Sequence, residues 1–249
     1  MANPLLVANW KSHGNLHKNQ IWIKQFLAQP LSADIDLVVC PPFPYIPQLL
    51  DLCKGTTVAV GAQNLSAYQQ GAYTGEVSAD MLRDLGCRYV IIGHSERRSL
   101  QAEDDKQLTL KLQMAIDCDL IPIFCVGETL QQREQAQTQA VLSDQLSAIV
   151  SVLKSTSFIL AYEPIWAIGS GQTATPEQAQ QVHRFLREYL IERLSNNAAE
   201  ISIIYGGSVN PNNAKELFAE RDISGGLVGG ASLKAEDFSQ IYGAFKEMI

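Results

Sequence analysis

A carboxylate, an imidazole, an ammonium and an amide each stand at or just past the end of a short apolar run in this sequence. Glu163 follows "FILAY" and precedes Pro164, and His94 follows "YVIIG"; Asn9 closes "LLVAN", two residues before Lys11. These types supply a base, a neutral hydrogen-bond donor, a second donor and a fixed positive charge. That is the set needed to move a proton beside a polarised carbonyl. Two glycine pairs, Gly206-Gly207 ahead of Ser208 and Gly229-Gly230, also close apolar runs. Backbone N–H groups freed by such loops form anion nests. Singly, each feature has a plainer explanation. A glutamate before proline is ordinarily a solvated turn residue, a lone histidine structural, a lone lysine a surface charge and a glycine pair a tight turn. Their common placement at run ends sets them apart.

The runs themselves form a series: "LLVAN" (5–9), "DLVVC" (36–40), "VAVGAQ" (58–63), "YVIIG" (89–93), "IPIFC" (121–125), "FILAY" (158–162), "ISIIY" (201–205) and "GLVGG" (226–230). Each is short, β-branched and apolar throughout, as parallel strands covered on both faces are. The intervals leave room for a helix and two loops. Thr175-Pro176-Glu177-Gln178 reads as a capping box with proline at the first helical position, followed by Ala179, Val182, Leu186, Leu190 and Leu194 at helical spacing. Segment 16–29 repeats the theme with Leu16, Ile23, Phe26 and Leu27. Eight such units predict an α/β fold, a single closed (β/α)8 barrel spanning 1–249, whose active-site groups gather where strands end. A doubly wound open sheet is the alternative, but it has no need of eight equal units. The connection "NLSAYQQGAYTGEVSAD" (64–80) is long and lacks an apolar period, and Tyr68 and Tyr73 favour an ordered, docked loop.

Composition bounds the partners. A net charge of −7 argues against nucleic acid or an anionic membrane, though not against a small anionic ligand held locally. No apolar run approaches the roughly 18 residues of a membrane span. The five cysteines are odd in number and form no C-x-x-C pair, which points to reduced thiols and a cytoplasmic location. His13, His17, His94 and His183 are scattered without ligand spacing, so no metal is expected.

Physics assigns roles within the set. Pro164 pushes Glu163 toward extended backbone and so orients its carboxylate. His94 opens a segment that reads as a helix start, where the positive dipole end disfavours protonation of the ring. A neutral imidazole can then donate to an oxygen on which charge builds.

These groups fall within five longer stretches, "ANWK" (8–11), "IIGHSERR" (91–98), "AYEPIWAIGSG" (161–171), "YGGSV" (205–209) and "LVGGASL" (227–233). The sequence resembles the triosephosphate isomerase family over its whole length and in the family's motif order. The resemblance implies Glu163 as base, His94 as electrophile, and Lys11 and Asn9 as substrate-side donors, with Glu96 in a supporting place. It implies a lid over 164–174. It implies that backbone at Gly169, Ser208, Gly229 and Gly230 grips the phosphate, while Ile168 and Leu227 close over the base. It implies a homodimer, with loop 64–80 docking on a neighbour and Thr74 reaching toward that neighbour's site, and an Arg97–Glu103 supporting ion pair. The substrate it implies is a triose phosphate, converted without a cofactor. Ser12 and His13 depart from the family pattern where a partner's arm docks, and Gln172 stands where lysine is common.

Rival readings on a barrel are weaker. A Schiff-base aldolase wants a lysine at a central strand end, and none occurs between Lys154 and Lys215. A metal-dependent sugar-phosphate epimerase lacks ligand spacing. A phosphate-sensing scaffold would be expected to have lost the base or the imidazole.

Overall fold

The computed structural model describes residues 4–153, 157–168, 173–194 and 198–248. Eight strands, β1 (Leu5–Asn9), β2 (Asp36–Cys40), β3 (Val58–Ala62), β4 (Tyr89–Ile92), β5 (Ile121–Val126), β6 (Ile159–Tyr162), β7 (Ser202–Tyr205) and β8 (Gly225–Val228), pair in sequence order. All pairings are parallel, and β8 returns to β1 with Val7 opposite Leu227, which closes the barrel. Helices surround it: α1 (Leu16–Phe26), α2 (Ile46–Leu52), α3 (Ala79–Leu85), α4 (Ser95–Leu100), α5 (Asp105–Asp117), α6 (Leu130–Glu134), α7 (Thr138–Ser147), α8 (Val150–Leu153), α9 (Pro176–Arg193), α10 (Ala214–Phe218) and α11 (Ala235–Lys246).

The apolar runs are strands because each must satisfy two cores at once. Leu5 and Val7 join a cluster with Val38, Ile91, Ile123 and Ile204, inside the barrel. Leu6 and Ala8 join the larger cluster with Phe26, Leu49 and Phe238, between strands and helices. Alternate side chains of one strand therefore meet different apolar surroundings, and polar residues are confined to strand ends such as Asn9, Asp36 and Ser202.

Local signals set the helix ends. Thr175 and Gln178 make the reciprocal capping box, and α9 then buries Ala179, Val182, Leu186 and Leu190. Asn15 caps α1, which stops at Phe26, three residues short of the 16–29 reading. The long connection also ends earlier than 80: Ser78 accepts from Met81 N–H and starts α3 at Ala79. Its remainder is ordered by Ser66 N–H to Val77 C=O (2.8 Å) and by stacked Tyr68 and Tyr73 rings 4.5 Å apart. All five cysteines are free. Among the described residues no helix is long and apolar enough to cross a membrane.

One buried polar group in this shell has a measurable consequence. His183 on α9 is fully buried, its Nδ1 3.1 Å from Asp222 C=O and its ring 5.8 Å from that of Tyr162. A carbonyl only accepts, so Nδ1 carries the proton of a neutral ring. Burial pushes the imidazolium value down from 6.5 to about 4. Unfolded chain therefore binds the extra proton first as pH falls. His183's contribution is complete above pH 6.5 and is lost progressively down to about 4. Thermal melts should show a midpoint that falls from pH 7 to pH 5, with a shallower fall in His183→Gln. Equal slopes in the two proteins would exclude His183 as the titrating group.

Candidate active site

The ends of β1, β4, β6, β7 and β8 open on one cleft of about 330 Å³. Asn9, Lys11, His94, Glu163, Ile168, Ser208, Leu227, Gly229 and Gly230 all line it. Gly169 lies outside the described residues, as do 169–172 of the expected lid, Gln172 among them.

Glu163 sits at the floor, 2% exposed, with its backbone N–H bonded to Val126 C=O at 2.7 Å. Two glycines make the space it occupies. A Cβ on Gly127 would lie 1.8 Å from the Glu163 carbonyl oxygen, and one on Gly206 would lie 2.8 Å from Glu163 Cγ. Ser95 N–H, in the first turn of α4, donates to Glu163 Oε2 at 2.8 Å. The other oxygen, Oε1, lies 3.0 Å from His94 Nε2, but the contact is not aligned as a hydrogen bond and Oε1 has no donor. The carboxylate thus has one oxygen held and one uncommitted.

His94 is the N-cap of α4, and its Nδ1 accepts from Glu96 N–H at 3.2 Å. A backbone N–H can only donate, so Nδ1 bears no proton and the neutral ring carries its hydrogen on Nε2. That places the donor on the nitrogen nearest Glu163. The sequence pattern of a histidine opening a helix has its physical counterpart here.

Lys11 is held in an uncommon backbone conformation, φ 49°. Asn9 Oδ1 accepts Lys11 N–H at 3.0 Å, and Gln63 Nε2 donates to the carbonyls of Lys11 (2.9 Å) and Cys40 (2.8 Å). Side-chain bonds on both sides of the residue offset the strain of a left-handed lysine. Its ammonium pairs with Glu96 Oε1 at 2.5 Å. With Oδ1 engaged, the Asn9 amide has its NH2 left to donate.

Further out, Arg97 Nε meets Glu103 Oε1 at 2.6 Å, and buried Lys111 reaches the same oxygen at 2.6 Å and Asn64 Oδ1 at 2.6 Å. The Arg97–Glu103 pair therefore exists, and Lys111 ties it to the root of the 64–80 loop. Thr74 is exposed on that loop and lines no part of this chain's own cleft. Beneath Glu163, burial and then the Glu163 charge push the Cys125 thiol well up, so it stays un-ionised. Among the described residues no group of three His, Cys, Asp or Glu side chains stands together as metal ligands.

The family model described as triosephosphate isomerase matches residues 4–245. The chain is 51% identical over 240 residues to the triosephosphate isomerase of Nitrosomonas eutropha, which covers 95% of each chain. It is 49% identical over 244 residues to that of Cupriavidus taiwanensis, covering 97% of this chain and 99% of the relative. The chain belongs to the triosephosphate isomerase family. It is an isomerase on a parallel (β/α)8 barrel.

Several contributors to this isomerase's cleft had not been singled out in the sequence. Ser95 acts through a backbone N–H, which has no residue signature. Gly127 matters through a strand-to-strand distance. Gln63 works through an amide that could have been suspected only from its place just after β3.

Proposed function

We propose that the chain interconverts dihydroxyacetone phosphate and D-glyceraldehyde 3-phosphate. Glu163 takes a proton from one carbon and returns it to the neighbouring carbon through an enediol(ate). His94 Nε2–H donates to the oxygens on which charge develops, assisted by Lys11 and Asn9. Backbone at Ser208, Gly229 and Gly230, joined by Gly169, holds the phosphate, where a short helical turn begins at Gly230. Ile168 and Leu227 supply apolar walls beside the carboxylate. A carboxylate stripped of water is a stronger base, so binding that expels water drives the first transfer. No cofactor or metal takes part.

The observation that carries this reading is a single one. A buried carboxylate with one free oxygen lies 3.0 Å from the protonated nitrogen of a neutral imidazole, in a cleft that also holds an ammonium and two glycine loops. The names of the relatives support the substrate.

The reading extends to assembly. The whole chain 1–249 works as one barrel domain, paired as an isologous two-fold homodimer in the cytoplasm, with neither nucleic acid nor membrane as partner. Loop 64–80 is the docking arm: it is ordered, yet it leaves Tyr68 48% and Tyr73 43% exposed. Its Thr74 reaches toward the neighbour's site, and Ser12 and His13 set the strength of that contact. The Arg97–Glu103–Lys111 cluster supports the arm's root, and Glu96 keeps Lys11 in place. A coupled assay on each triose phosphate, run beside sedimentation at micromolar concentration, tests function and assembly together. The expected result is fast interconversion by a dimer. No turnover of either substrate would refute the function, and a fully active monomer would refute the arm.

A further inference from the structure

Arg133 has no part in the chemistry above, yet it touches the turn that follows the base. Glu128, just past β5, is wholly buried. Its Oε1 accepts from Tyr162 Oη at 3.0 Å, Trp166 Nε1 at 3.1 Å and Arg133 Nη1 at 3.2 Å. The guanidinium carbon of Arg133 also lies over the Trp166 ring, 4.6 Å from its centroid. Glu128 C=O accepts Ile165 N–H at 3.1 Å. The short turn Ile165–Ala167 is thus held by its backbone, by its indole N–H and by its indole face.

Arg133 is the cation in this group, and it meets both the acid and the indole. A buried carboxylate left with neutral donors alone is costly, and a guanidinium on an aromatic face adds attraction where water is scarce. The same β5 end holds the base, since Glu163 N–H binds Val126 C=O two residues before Glu128. Only Pro164 separates Glu163 from the clamped turn. A proline-stiffened link transmits the position of the turn to the carboxylate.

We propose that Arg133 is a positioning residue for Glu163. By pressing Trp166 against Glu128, it sets the Ile165–Ala167 turn and with it the reach of the base. This rests on Glu163 being the base. The glycine loops after β7 and β8 take no part in the clamp, so Arg133 acts on turnover far more than on phosphate binding. A displacement of the base by even a fraction of an ångström is enough to slow proton transfer, because catalysis depends on near-attack geometry.

The test is steady-state kinetics on Arg133→Gln and Arg133→Lys, each also made in a Trp166→Leu background. Arg133→Gln should lower kcat about tenfold with KM within about twofold, a change in barrier height at unchanged binding. Arg133→Lys keeps the charge without the planar face and should lose about threefold. In the Trp166→Leu background, where the clamp is already broken, Arg133→Gln should cost less than about twofold more. Should Arg133→Gln not fold, Arg133→Lys carries the test alone: a lower kcat at constant KM supports the proposal and an unchanged kcat overturns it. Wild-type kcat in Arg133→Gln, or full additivity with Trp166→Leu, also overturns it. Glu163→Gln separates the two readings. If that variant keeps its activity, the base assignment has failed; if it is inactive while Arg133→Gln is as fast as wild type, only the role of Arg133 has failed.

Discussion

Glu163→Gln should fold normally, bind phosphate normally and turn over about 10³-fold more slowly, within the 10²–10⁴ range of a lost general base. The substitution is nearly isosteric. The amide oxygen can still accept the Ser95 N–H that now meets Oε2 at 2.8 Å, and the backbone bond to Val126 is untouched. The space left by Gly127 and Gly206 accommodates either side chain. What disappears is an atom able to take a proton from carbon. The proposed phosphate grip is made by backbone groups that this substitution leaves unchanged, so KM should stay within about threefold. Steady-state rates in both directions, with a phosphate-bearing competitive inhibitor measured alongside, check this. A rate within tenfold of wild type would remove Glu163 from the mechanism. A comparable loss in inhibitor affinity would mean instead that the substitution had damaged the cleft.

How much of the fold and the site is legible in the sequence depends on how local each cause is. The eight strands were legible because each is covered by apolar groups on both faces, so the whole run had to be apolar; β1 and β2 coincide with their runs to the residue. The start of α9 was legible because a capping box is a contact among four consecutive residues. The 64–80 reading overruns the connection's end because Ser78 caps a short helix that buries only two residues, Ala79 and Leu82, too few for a period to show. The candidate site divides along the same line. Side chains that carry chemistry announce themselves by type, and strand ends say where to look. Gly127 and the Arg133–Glu128–Trp166 clamp do not, because they express a tertiary relation: Glu128 and Trp166 meet across 38 residues of sequence. A glutamate just before a short polar helix and an arginine in its last turn look like any solvated pair until burial shows otherwise.

His94→Gln is the sharper test of how charge is stabilised. The His94 ring does two things at once: Nδ1 accepts from Glu96 N–H and Nε2 offers a hydrogen toward the cleft. A glutamine amide also has one acceptor and one donor, so Oε1 can take over the cap of α4 while Nε2 still donates. The helix start should survive. The donor will not sit where the imidazole put it, because a flexible side chain replaces a rigid ring whose two nitrogens are fixed relative to each other. A donor aimed at a developing oxyanion is worth most when it needs no reorganisation at the moment of reaction, and losing one costs about 10²–10³ in rate. The ground-state carbonyl, carrying little charge, should notice the change far less. We therefore expect kcat to fall by about 10²–10³ while the affinity of a phosphate-bearing inhibitor stays within about threefold. The pattern across the two parameters decides the matter. A loss expressed only as a raised KM would make His94 a ground-state binding group, since only interactions stronger in the transition state raise the chemical rate. An unchanged kcat would leave Lys11 and Asn9 as the donors to the reacting oxygens. The neutral ring fixed by the Glu96 N–H would then be a helix cap and nothing more.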